Sequence, residues 1–334
     1  MGTGASATQR IMASIEPVRQ WMDGPSGKRA QRFFSGSLSI LILWLLASSI
    51  AEIGWRQVLA ALPANPLFWL CFAGAYFILP LTDWFIYRRW WKLGWRDIGV
   101  FLKMRVMNEA LVSYSGHTYL LIWAAERMGI AFDPKAPPPR ILGRGDGQGV
   151  DPATSPFAAV KDMAITSGLA GNLGTLIMLL LALGLGGNAV VGEAFDRRTL
   201  DILIWSFGAM ILLNIGIVAF RGRVMSLPVK ENMFAFRWHL FRLLLGHALL
   251  VLSWVVALPM IPFGSWFQLG ALRQVVARMP LPNKELLFAA IAVSIAGEAS
   301  VEVAALMAAQ GALHLVFHGI SWAMALAIEK RPVS

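Results

Sequence analysis

Cysteine is almost absent: Cys71 is the only one in 334 residues. That excludes a disulfide framework and any metal site built on thiolates. Charge is scarce as well, with 14% Asp, Glu, Lys and Arg. An average soluble domain carries roughly 25%. Nucleotide-binding fingerprints are missing too. The Gly-rich stretch RGDGQGVDPATSP has no strand before it and no P-loop lysine. It reads as part of a flexible connector over 130–157.

What fills the chain instead is apolar. Hydrophobic residues make up 57%, and several runs reach the length of about 20 residues that a bilayer crossing needs. The 14 Trp lie mostly near the ends of those runs, as in an interfacial belt. The fold class predicted is an all-α polytopic membrane protein. A net charge of +10 in a soluble chain would point to nucleic acid. Here the basic residues flank apolar runs, so the positive-inside bias and anionic headgroups account for them. No nucleic-acid partner is expected.

Full-length spans are predicted at about 36–54, 65–87, 158–184, 200–220, 240–262 and 311–328. Residues 1–35 form an N-terminal segment, too long and polar for a signal-peptide leader, with an interfacial helix around Ile11–Met22. Arg10, Arg19, Lys28, Arg29 and Arg32 place that segment in the cytoplasm. The basic stretches at 88–105 and 221–242 face the same way, and so does the 329–334 tail. The segment at 99–129 then starts and ends on one side, which a single crossing cannot do. A re-entrant pair of half-helices is predicted there. The same bookkeeping makes 285–310 a second hairpin entering from the opposite face, or alternatively a true span. Residues 265–279 are read as an interfacial helix. Six spans and two opposed hairpins suggest an inverted repeat whose broken helices meet near the midplane.

Polar residues at such depth need partners, because lipid offers none. In the first hairpin these are Asn108, Glu109, Ser113, Ser115, His117 and Tyr119, with Gly116 allowing a sharp turn and close approach. They are expected to converge on one polar cavity. The competing reading pairs Glu109 with Arg105, one helical turn away. In the second hairpin Gly297, Glu298, Ser300 and Glu302 stand out, with the carboxylates of Glu298 and Glu302 on one helix face. Those two fit a proton or cation relay, or simple bonds to neighbouring groups. His314 and His318 share a face of the last helix, but no third ligand lies nearby, so polar packing is preferred over a metal. Neither metal nor cofactor is expected, and no catalytic residue is assigned.

The order of features resembles a known family. A linker IGWRQVLAALPANPLFWL leads into TDWFIYRRWWKLGWRDIGVFLK, then the break with Asn108 and Gly116, then ERMGI and a late GEASVEVAAL. This is similar to the flippase-like family built on the transmembrane region of lysylphosphatidylglycerol synthase, over roughly residues 36–328. The first break reads Ser-Tyr-Ser-Gly without the family's proline, and the arginine beyond the glycine is missing, with Tyr119 and Leu120 near its place. The resemblance matches Asn108, Gly116 and Glu302 to family positions. It implies a multi-pass protein of the bacterial inner membrane that moves or presents an amphiphilic lipid, such as an anionic phospholipid or a hopanoid-like molecule. It does not imply lipid aminoacylation. The partners left open are a second copy of the chain and lipid-synthesising enzymes. Two other functions stand beside transport: a lipid-modifying enzyme using Glu109 and His117 as acid and base, and a scaffold without a site of its own.

Overall fold

The structure is a computed structural model. It describes residues 62–110, 114–129, 149–184, 197–278, 288–289, 291–293 and 299–329, without the side chains of 197–204, 206 and 207. The described residues are helical and contain no strand. Along the chain run α1 (Pro66–Trp91), a short 3₁₀ turn (Trp95–Asp97), α2 (Ile98–Ala110), α3 (Ser115–Arg127), α4 (Pro156–Gly184), α5 (Arg197–Ala219), α6 (Arg221–Val224), α7 (Val229–Ala257), α8 (Phe263–Arg278) and α9 (Ser300–Glu329).

Four of these, α1, α4, α7 and α9, are long and apolar enough to cross a membrane. They correspond to the expected spans at 65–87, 158–184, 240–262 and 311–328. The span expected at 36–54 lies outside the described residues. The one at 200–220 falls in α5, a helix of 23 residues, of which Gly208–Ala219 is the apolar stretch among the residues with described side chains. The second hairpin differs from expectation. Residues 300–310 are not a separate limb; they are the opening turns of the 30-residue α9. That segment has no proline and is dominated by Ala, Leu and Met, strong helix formers that carry one helix through. The interfacial helix expected at 265–279 is present as a helix, α8.

Local signals explain the ends. The Asn65 side chain accepts from Leu67 N at 2.9 Å, and Pro66 opens α1 with a preset φ and no N–H to waste. Lys92, in the left-handed region at φ 50°, stops it. The centre of the fold is α7, packed between α1 and α4, while α2 packs against α1, α3 and α9. One apolar cluster joins α1 to α2, α3, α4 and α7 around Tyr87, Phe101 and Leu120. A second joins α1 to α7, α8 and α9 around Phe72, Trp254 and Trp266.

Many polar ties gather at one end of the bundle. The Trp84 ring donates to Gly94 O at 2.9 Å and Trp91 donates to Pro152 O at 3.1 Å. Glu231, in the first turn of α7, takes Arg89 at 2.9 Å and the Trp90 ring N–H at 2.7 Å. Lys103 of α2 meets Glu329 of α9 at 2.6 Å. Asp162, wholly buried, accepts from the backbone N–H groups of Ser226 and Leu227 at 2.8 and 2.7 Å. Read from the sequence, Asp162 looks like an interface anchor. In the fold it is a latch between α4 and the turn that starts α7. The end of α1, the starts of α2, α4 and α7 and the end of α9 therefore share one rim, rich in Trp and basic residues.

Candidate functional site: a helical hairpin between two polar clusters

Helices α2 and α3 have 13 residues each. At 1.5 Å per residue each is about 20 Å long, against a hydrocarbon core of roughly 30 Å. They lie side by side. Asp97, just before α2, pairs with Arg127 at the end of α3 at 2.9 Å, so both open ends sit on the same rim. The tip is the polar stretch seen in the sequence. Tyr114 caps α3 in the left-handed region at φ 71°, a costly conformation for a bulky side chain, and is exposed. Gly116 is where the helices touch: a Cβ there would lie 2.0 Å from the carbonyl oxygen of Met104.

Asn108 ties the two limbs. Its Oδ1 accepts from Gly116 N at 2.9 Å, and its amide lies 3.2 Å from His117 Nδ1. Ser115 donates to Met107 O at 2.8 Å. His117 is within electrostatic range of Asp83 on α1 and Arg242 on α7. Asp83, which is buried, pairs with the partly buried Arg242, and Arg242 also donates to Ser167 of α4 at 2.8 Å. Next to them is His239, only 3% exposed, with neither ring nitrogen hydrogen-bonded. Its neighbours in electrostatic range are Arg242 and His117. From the rim, Asn108 and His239 each lie ten helical residues in, or about 15 Å, and Ser167 slightly deeper.

Glu109, one residue on, points elsewhere. It pairs with Arg105 at 3.2 Å, as the competing reading held, and also reaches His318 Nε2 of α9 at 3.1 Å. His318 Nδ1 meets the Tyr76 hydroxyl of α1 at 2.7 Å. Arg105 closes the ring, its guanidinium stacked 3.9 Å over Tyr76 and donating to the Tyr76 carbonyl. With the hydroxyl donating to Nδ1, the imidazole presents Nε2–H to the carboxylate. The hairpin thus separates two polar clusters, with Asn108 and His117 on one and Glu109 on the other.

The remaining expected residues are placed apart from the tip. Tyr119 packs by Lys103, whose ammonium lies 5.9 Å from the ring centroid. Ser300 and Glu302 begin α9, where Glu302 is exposed. Glu302 is 27 residues before Glu329, about 40 Å along a straight helix, at the end of the bundle away from the rim. Ser113, Gly297 and Glu298 lie outside the described residues. Among the described residues no group of three His, Cys, Asp or Glu side chains could hold a metal, and His314 with His318 serves polar packing.

Sequence reading missed Asp83, Arg242, His239 and Tyr76. The signal was present: Asp83 and Arg242 are single opposite charges inside two apolar runs, and such charges pair or serve function. Comparison of the chain with protein-family models, with curated proteins and with solved structures returns no match.

Proposed function

We propose that this protein is a lipid translocase or lipid-binding transporter, which brings the polar headgroup of an amphiphile to the polar cluster between the hairpin tip, α1 and α7. The observation that carries the reading is His239. A neutral imidazole has one donor and one acceptor, and leaving such a buried group unpaired costs on the order of 1–3 kcal/mol. It stands within electrostatic range of His117 and Arg242, the partners of Asn108 and Asp83, at a depth of about 15 Å from the basic rim. Groups of this kind at such depth belong to a pathway or a binding site more often than to structure. A headgroup with hydroxyl, amine or phosphate atoms would satisfy them, while its acyl part stays in lipid.

The hairpin supports the same reading. Two limbs too short to cross, with tied ends and a polar tip, fit a re-entrant element with its rim at the cytoplasmic face of a bacterial inner membrane. The resemblance to the flippase-like family points the same way, and the Asn108–Gly116 bond gives a physical reason for pairing those residue types. Acid–base catalysis is less well supported. The carboxylate expected to work with His117 engages His318 instead, and His318 is 4% exposed.

The test uses the full chain reconstituted in vesicles of phosphatidylglycerol and phosphatidylcholine, with headgroup-labelled lipid and an impermeant quencher. Wild-type protein should accelerate transfer between leaflets. His239→Phe should slow it about tenfold while leaving thermal stability equal or higher, since it removes an unsatisfied group. A wild-type protein that neither moves nor retains lipid, or a His239→Phe variant that transports normally, would defeat the proposal.

A further inference from the structure

A second feature lies away from the hairpin. Between α4, α5 and α7 runs a groove of about 360 Å³. That is within the roughly 300–1,000 Å³ of small-molecule sites. Leu173, Leu176, Met210, Ile215 and Met233 give it apolar walls. Leu173 and Ile215 are exposed, so the groove opens sideways. It is stapled midway by an Asn172–Asn214 bond of 3.0 Å. Along α4 it extends from Thr166 to Leu176, ten residues or about 15 Å, half a hydrocarbon core.

One end differs from the rest. Arg221 lines it, on a turn that also carries Arg223 and Lys230, at the basic rim. Asn232 lines it too, and it is 6% exposed. Its amide N–H groups are used on Asp162 and Leu227 O, but its Oδ1 accepts nothing. A cation and a buried acceptor awaiting a donor thus stand at the mouth of an apolar slot the length of one leaflet.

We propose that this groove holds one acyl chain of an anionic phospholipid from the leaflet at the basic rim, with its phosphate on Arg221 and a headgroup hydroxyl donating to Asn232. Charge and apolar length select this occupant together. Arg221 favours the phosphate over a neutral segment of protein, and the apolar walls beyond it, about 15 Å along α4, suit an extended acyl chain. The site rests on the membrane orientation of the proposed function but not on transport through the hairpin.

The experiment is photolabelling of the full chain in phosphatidylcholine vesicles that contain a trace of diazirine-acyl phosphatidylglycerol. Labels should map to 169–176 and 210–218. Arg221→Ala should lower that labelling about tenfold, the size of one contact to a charged group, while Arg223→Ala leaves it within twofold. Leu173→Trp should block the slot and abolish the labels with unchanged elution and melting. A diazirine phosphatidylcholine probe should label weakly and ignore Arg221. Equal labelling by the two probes, indifference to both Arg221→Ala and Leu173→Trp, or labels elsewhere only would overturn the proposal. So would a disulfide from Leu173→Cys to a cysteine placed in 36–54 or in a second copy, which would mean that protein fills the groove. His239→Phe should label at the wild-type level, so loss of transport and loss of this site are distinguishable.

Discussion

Pro80 has no N–H, so the carbonyl of Tyr76, four residues earlier in α1, has no helical donor. Arg105 supplies one from α2, and in doing so is held over the Tyr76 ring and beside Glu109. A backbone vacancy thus positions a charge, and that charge positions a carboxylate against His318. This dependence has a measurable form. Arg105→Met should be less damaging in a Pro80→Ala background, where the carbonyl regains its helical bond. A double-mutant cycle by unfolding in micelles should return a coupling of about 1 kcal/mol. Both backgrounds lose the Glu109 pair equally, so that contribution cancels. Additivity within about 0.3 kcal/mol would show that the two residues act independently.

At the scale of elements, the contact of α2 with α3 depends on Gly116. A methyl group there meets the Met104 backbone, which cannot swing aside as a side chain tip can. Gly116→Ala should therefore destabilise by about 1–3 kcal/mol and part the limbs, breaking the Asn108 bond to Gly116 N. Unfolding midpoints would show the first effect, and amide exchange at residue 116 the second. An unchanged midpoint would mean that the hairpin is looser than described. The sequence made this element legible because Asn108, Ser115, Gly116 and His117 interrupt an apolar run, and charge counts required the chain to return. Partners across elements were harder to read. Glu109 faces α9 and Asn108 faces α3 because adjacent helix positions diverge by about 100°, and no local pattern tells which neighbour each will meet. The start of the last long helix was misplaced for a related reason: Glu302 looked buried because its neighbours are apolar, yet it begins α9 and is exposed.

For the whole molecule, four long apolar helices carry at one end a rim of Trp and basic residues, and the short helices α2 and α3 hang from that rim. Lys103–Glu329 and Asp97–Arg127 place the last helix and both ends of the hairpin at the same level. The central claim is that α2 and α3 enter the bilayer from that rim and return to it, carrying the Asn108–His117 tip to His239. The most direct measurement is the sidedness of the two hairpin ends in sealed vesicles of known orientation. Single cysteines replacing Trp95 and Glu126, both exposed in the structure, would be introduced separately into a Cys71→Ser background. An impermeant maleimide applied to the cytoplasmic face should label both, and neither from the other side. Labelling of the two positions from opposite faces would contradict the account, since α2 and α3 would then be parts of a crossing and the tip would have no return.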